Sequence, residues 1–308
     1  MKYFPPIVTG PMIIMIGLNL AGSAINNVMT CWWLAAIAIA VVIIANIWGK
    51  GMIKIIPILL GIVVSYIVAL CCGKVDFATV KSADIVGLQK FTIAKFDITS
   101  ILVMAPIAIA SMMEHIGDIS AISSTTSRNF IENPGLHRTL IGDGLATSLA
   151  GLFGGPANTT YGENTGVLAL SKVYDPRVVR IAACFAVILS FSPKFDALVN
   201  SIPVAIIGGV SFILYGMISA VGVRNIVENK VDLTKSRNLI IAAVMFVSGL
   251  GFSSIGGISF TIGSATITLT GLAIAAILGV LLNAILPGKD YIFGMNTEGD
   301  QAADLGTY

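Results

Sequence analysis

The chain has 308 residues, of which 56% are hydrophobic and only 11% charged, with a net charge of +2 and a mean hydropathy of +0.92. No soluble globular composition reaches that hydropathy, so the chain reads as a membrane protein, and its charge points to no nucleic-acid partner. Its four cysteines (Cys31, Cys71, Cys72 and Cys184) lack metal-ligand spacing and fall in or beside apolar runs, where buried thiols are the expected reading, with no metal and no cofactor.

A bilayer core about 30 Å thick requires roughly 20 apolar residues per helix. Ten apolar segments meet or approach that length, near 7–28, 31–48, 52–72, 98–122, 136–154, 157–172, 177–195, 201–223, 237–255 and 265–287. The opening residues lack a small-residue cleavage site, so no signal peptide is expected. With the amino terminus in the cytoplasm, thirteen Lys and Arg residues fall inside and five outside (Lys74, Lys81, Lys90, Lys95 and Lys194). Four of those five share the long joint 73–97, which has little topological weight. Both termini are therefore predicted to be cytoplasmic, with 288–308 as a cytoplasmic tail.

The first and eighth segments echo one another. Each has a leading proline (Pro6, Pro203) followed by glycines at similar intervals, Gly10, Gly17 and Gly22 against Gly209, Gly216 and Gly222. Two further segments follow each copy, as an inverted repeat requires. If segments one to three mirror eight to ten, segments four to seven should have four partners before residue 1. The chain is therefore expected to be the carboxyl-terminal ten-span part of a fourteen-span design, lacking its first four helices.

Acids within apolar spans are costly and usually face a cavity on a substrate or proton path. Glu114 and Asp118, four residues apart in "SMMEHIGDIS", share a helical face. The third acid, Glu163, lies in "GGPANTTYGENTG", whose glycines and proline do not make a plain helix. A broken span is predicted: extended backbone first, then a half-helix starting near Gly162 with free N–H donors at its amino end. Glu163 can accept from a ligand's N–H groups while adjacent backbone N–H groups donate to its carbonyls. A planar ring with alternating N–H and C=O edges, such as a nucleobase, fits. His115 points about 100° away from Glu114 and is assigned a packing role; Asp143 is assigned to helix contact.

The stretches "EHIGD", "NPGLHRTLIGDGLAT", "NTTYGENTGVLALSKVY" and "GGVSFILYGMISAVGVRNIVENKVD" resemble the nucleobase/ascorbate transporter family over nearly the whole chain, 4–287, and the Tyr-Gly-Glu-Asn form is similar to that of bacterial uracil permeases. The resemblance implies an all-α polytopic membrane protein with a seven-plus-seven inverted repeat, a core domain and a gate domain. Residues 5–72 and 201–287 would be gate helices, 73–97 an extracytoplasmic loop, and 98–195 the second half of the core. It further implies proton-driven uracil uptake across the bacterial cytoplasmic membrane. Glu114 and Glu163 would bind the base together with Thr160, Tyr161 and Gly162; Glu163, Glu114 and Asp118 would couple the proton. A homodimer through the gate domain is a candidate assembly. Two departures stand out: some uracil permeases carry histidine where Asp118 stands, and the family's first four helices have no counterpart.

Other readings remain open on the sequence: a truncated, non-transporting membrane binding module, a xanthine-type nucleobase permease, or an anion carrier of the same architecture, against which Glu163 argues. Enzyme readings fare poorly. A zinc-protease motif would need histidine where Ser111 stands, the chain has only two histidines, and it has no Gly-rich phosphate loop.

Overall fold

The computed structural model describes residues 5–88, 91–126, 128–161, 164, 168, 173–262 and 265–289. Its helices are α1 (Pro6–Met29), α2 (Trp32–Ile47), α3 (Met52–Ile55), α4 (Pro57–Cys71), α5 (Ala78–Ser82), α6 (Ile98–Thr126), α7 (Leu136–Leu152), α8 (Pro176–Ser190), α9 (Pro193–Asn200), α10 (Val204–Glu228), α11 (Ser236–Ser254) and α12 (Gly271–Ile285). Strands β1 (Ile258–Ile262) and β2 (Ala265–Leu269) pair antiparallel, Ile258 opposite Leu269 and Ile262 opposite Ala265.

By length and composition, α1, α10 and α11 can each cross a bilayer, and α8 with α9 makes a fourth apolar stretch bent by 96°. Three shorter apolar helices are α2, α4 and α12. The protein is a multi-pass membrane protein.

Local chemistry sets the ends of these elements. Pro57 opens α4, where its missing N–H costs nothing, and splits the expected 52–72 span into α3 and α4. The expected 177–195 span stops at Ser190: Ser192 caps the next helix by accepting from the Phe195 amide at 3.3 Å, and Pro193 begins it. The expected 265–287 span is helical only from Gly271, because residues 265–269 are taken up by β2 and Thr270 caps α12 through the Ala273 amide at 3.3 Å. Cys71, Cys72 and Cys184 are exposed and Cys31 is half-buried, so the expectation of buried thiols is corrected. A thiol is weakly polar and can face lipid as readily as protein.

The chain forms two compact units. The first comprises 1–19, 92–165 and 216–308. Its core joins Ile7, Val8, Met12 and Met15 of α1 with Ile241, Ala242 and Met245 of α11 and Ala275 and Ala276 of α12. Within it, α6 packs against β2 and α12. The guanidinium of Arg237 closes the end of α12, donating to the carbonyl of Asn283 at 3.1 Å and to its side-chain oxygen at 2.7 Å. The second unit comprises 20–91 and 166–215. Leu34, Ala38 and Val42 of α2, Ala69 of α4, and Ala205, Ile206 and Val210 of α10 form its core, and the Tyr66 and Ser201 hydroxyls meet at 2.6 Å.

Both units depend on glycines where helices touch backbone to backbone. In the first, a Cβ on Gly222 of α10 would lie 2.6 Å from the Ile14 nitrogen and 2.9 Å from the Gly10 oxygen. In the second, a Cβ on Gly208 would lie 2.7 Å from the Val28 nitrogen. Backbone cannot move aside as a flexible side chain can, so only glycine fits. Gly222→Val and Gly208→Val are each expected to destabilise the protein by about 1–3 kcal/mol through overpacking. Gly216→Ala, which meets nothing within 4 Å, should leave the melting temperature in detergent unchanged or higher, and equal losses at all three positions would refute the close-contact account.

Candidate functional site

The site is built from α6, α7 and the non-helical stretch that follows α7, all within the first unit. α6 carries Glu114, His115 and, one turn after Glu114, Asp118. The Glu114 side chain lies outside the described residues, as do Gly162 and Glu163. Asp118 is 5% exposed and His115 is 3% exposed. Ser123, a further turn and a half on, is also buried; its hydroxyl donates to the Ile119 carbonyl at 2.7 Å and accepts from the Phe130 amide at 3.1 Å. That contact folds the chain back from α6 toward the short π-helical segment Ile131–Gly135 that leads into α7.

At its far end α7 stops in a glycine turn. Gly154 has φ +80, and the Gly155 amide donates to the Ala150 carbonyl at 2.8 Å. The Leu152 carbonyl, left without an intrahelical partner, accepts from the Ala94 amide at 3.1 Å. Residues 155–161 are neither helix nor strand. The Asn164 amide then donates to the Tyr161 carbonyl at 3.2 Å, and Asn164 and Leu168 are helical. Among the described residues, 157–172 is therefore not one continuous helix.

Two side chains tie this stretch down. Thr147 of α7 donates to the Asn158 carbonyl at 3.0 Å. His115 Nδ1 lies 2.8 Å from the Thr160 hydroxyl and 3.8 Å from an Asp143 carboxylate oxygen, so three separate elements meet at one imidazole. Thr160 is half-buried and Tyr161 exposed. His115 and Asp143, assigned to packing and helix contact from their positions in sequence, thus belong to the site's frame. A histidine directly beside an intramembrane glutamate, with a threonine in the next broken span, is the signal that could have found this arrangement. Among the described residues, no group of three or more His, Cys, Asp or Glu side chains could hold a metal ion.

A buried acid, Asp118, and a hydrogen-bonded non-helical stretch set in an apolar multi-pass fold have the character of a membrane transporter, and the relatives that follow are permeases, transporters and not enzymes. Residues 1–258 match the model of a permease family. The chain is 41% identical over 304 residues to the uracil permease of Bacillus caldolyticus, covering 94% of this chain and 69% of that protein. It is 40% identical over 306 residues to the uracil permease of Bacillus subtilis, covering 93% and 69%, and 35% identical over 293 residues to the uracil permease of Escherichia coli K12, covering 92% and 67%. The chain belongs to this permease family.

The double role of Ser123 has a measurable consequence. Ser123→Ala removes one of the two acceptors of the Phe130 amide, the other being the Arg128 carbonyl at 3.0 Å, and should cost about 0.5–1.5 kcal/mol. The expected result is a lower melting temperature in detergent; an unchanged melt would show that the Arg128 carbonyl alone suffices.

Proposed function

We propose that the chain serves uracil uptake across the bacterial cytoplasmic membrane by proton symport. The observation that carries this reading is the tie between α6, which bears Glu114, and the non-helical stretch leading to Gly162 and Glu163. The names of the relatives support the substrate: each of the three proteins compared above is a uracil permease. In this reading the carboxylates of Glu114 and Glu163 accept the N–H groups of the base. Backbone N–H groups near Gly162, with Thr160 and Tyr161, complete its edge. Protonation of Glu163 or Glu114 couples to closure, and Asp118, buried one turn below Glu114, forms part of the proton path.

The same proposal assigns 5–72 and 201–287 to a gate domain, 98–195 to the second half of a core domain, 73–97 to an extracytoplasmic loop, and 288–308 to a cytoplasmic tail. A reciprocal packing pattern supports the inverted repeat. The start of α1 packs with α11 and α12, while the start of α10 packs with α2 and α4, so each repeat's first helix seats against the second and third helices of the other. Small-residue contacts between such helices allow close sliding. The distribution of Lys and Arg supports cytoplasmic termini, and gate helices are the surface through which a homodimer would form.

Uptake of radiolabelled uracil into proteoliposomes tests this function. An inward proton gradient should drive accumulation and a protonophore should abolish it. Glu163→Gln and Glu114→Gln should each reduce uptake by at least about tenfold, since each removes a charge-assisted hydrogen bond. Asp118→Asn should weaken the dependence on the gradient more than it weakens binding. Undiminished, gradient-dependent uptake by Glu163→Gln would overturn the assignment.

A further inference from the structure

Nothing in the proposed chemistry uses His115, yet its placement is highly constrained. It is 3% exposed, follows Glu114 directly in α6, and reaches Thr160, three residues before Glu163. A glutamate on a helix and a glutamate beyond a helix break have no fixed spacing unless something joins the two backbones. The imidazole is positioned to be that link.

The geometry also selects a tautomer. A neutral imidazole carries its proton on one nitrogen only. Nδ1 faces both the Thr160 oxygen at 2.8 Å and the Asp143 carboxylate oxygen at 3.8 Å, whereas Nε2 has no hydrogen-bond partner among the described residues. A proton on Nδ1 points toward an oxygen with a negative neighbour; a proton on Nε2 would be a buried donor without an acceptor among those residues, the costlier arrangement. With Nδ1–H donating, the Thr160 oxygen accepts, and its own hydroxyl proton is left to donate elsewhere.

We propose that His115 is a positioning residue: held as the Nδ1–H tautomer by Asp143, it locks the stretch before Glu163 onto α6 and thereby sets both affinity and ring-size selectivity for a cyclic imide. This rests on the uracil-uptake reading above. Two carboxyl-bearing elements held at one spacing suit a single six-membered ring; once the link is cut, they can separate and admit a fused two-ring base. The inference therefore predicts a loss of discrimination together with a loss of affinity, and little change in turnover.

Replacement chemistry separates a link through Nδ1 from simple filling of space. The asparagine amide nitrogen falls near the position of Nδ1, whereas the glutamine amide nitrogen reaches that of Nε2. In proteoliposomes, His115→Gln and His115→Ala should raise the KM for uracil about tenfold with kcat changed less than about twofold, and should reduce preference for uracil over xanthine by a similar factor. His115→Asn should keep KM within about threefold of native. Thr160→Ser should behave as native, and Thr160→Val as His115→Ala. Asparagine no better than glutamine, or a fall in kcat at constant KM, would overturn the proposal. A second measurement needs no substrate: melting temperatures in detergent for His115→Ala, Thr160→Val and the double variant. Losses that fail to add establish the link, and additive losses overturn it. Should the native chain move no uracil, the uptake reading falls while this cycle still decides whether the link exists.

Discussion

Polar backbone has nowhere to hide in hydrocarbon. Every amide and carbonyl released by a helix end must find a partner inside the protein, at a cost of several kcal/mol when it does not. That constraint explains where this chain places its few polar side chains. Thr270 and Ser192 take the first free amides of α12 and α9, Arg237 takes carbonyls at the end of α12, and Ser123 takes the Phe130 amide beyond α6. The stretch 155–161 is the most demanding case, because several consecutive residues leave regular structure. It is tied by Gly155 to Ala150, by Asn158 to Thr147 and by Thr160 to His115. With part of the break already satisfied by the protein, the proposed solute site would need to supply fewer partners there.

The apolar packing follows a different economy. Helices in lipid gain nothing by hiding one greasy surface against another, so contact depends on how closely they approach. Gly222 and Gly208 let α10 meet α1 backbone to backbone, once in each compact unit. At Gly279 the neighbour is a side chain instead, the Met245 sulfur lying 2.5 Å from where a Cβ would stand. Of the glycines shared by the first and eighth segments, Gly10, Gly209 and Gly222 stand at close contacts, whereas Gly22 and Gly216 meet nothing within 4 Å. The early residues of α1 enter a core with α11 and α12, and those of α10 enter one with α2 and α4.

Much of this was legible in advance, for identifiable reasons. Long apolar runs fixed α1, α10 and α11 to within a few residues, since hydropathy responds to length and to nothing subtler. The runs at 52–72, 177–195 and 265–287 were read as single spans, and each is interrupted. Pro57 and Ser192-Pro193 are local stop signals that a hydropathy window averages away. The pairing of 258–262 with 265–269 depends on a partner strand, which no single run reveals. At the site, intramembrane cost pointed to Asp118, which is buried; it also pointed to Glu114 and Glu163, whose side chains lie outside the described residues. His115 escaped, because helical angle from Glu114 measures only direction, whereas its partners, Thr160 and Asp143, come from two other elements.

A neutral hydrogen bond is well matched to the work of that histidine. Asp118 and Asp143 are within the same unit, and Glu114 is its immediate neighbour in sequence, so the region is already rich in acids. A lysine or arginine link would add a charge that must itself be compensated in a low-dielectric setting, and would compete with substrate and proton for those carboxylates. Imidazole to hydroxyl adds no net charge and retains direction, since the ring is planar and Nδ1 is fixed relative to α6. In the proposed function, that arrangement holds a broken backbone in place and leaves the acids to the solute.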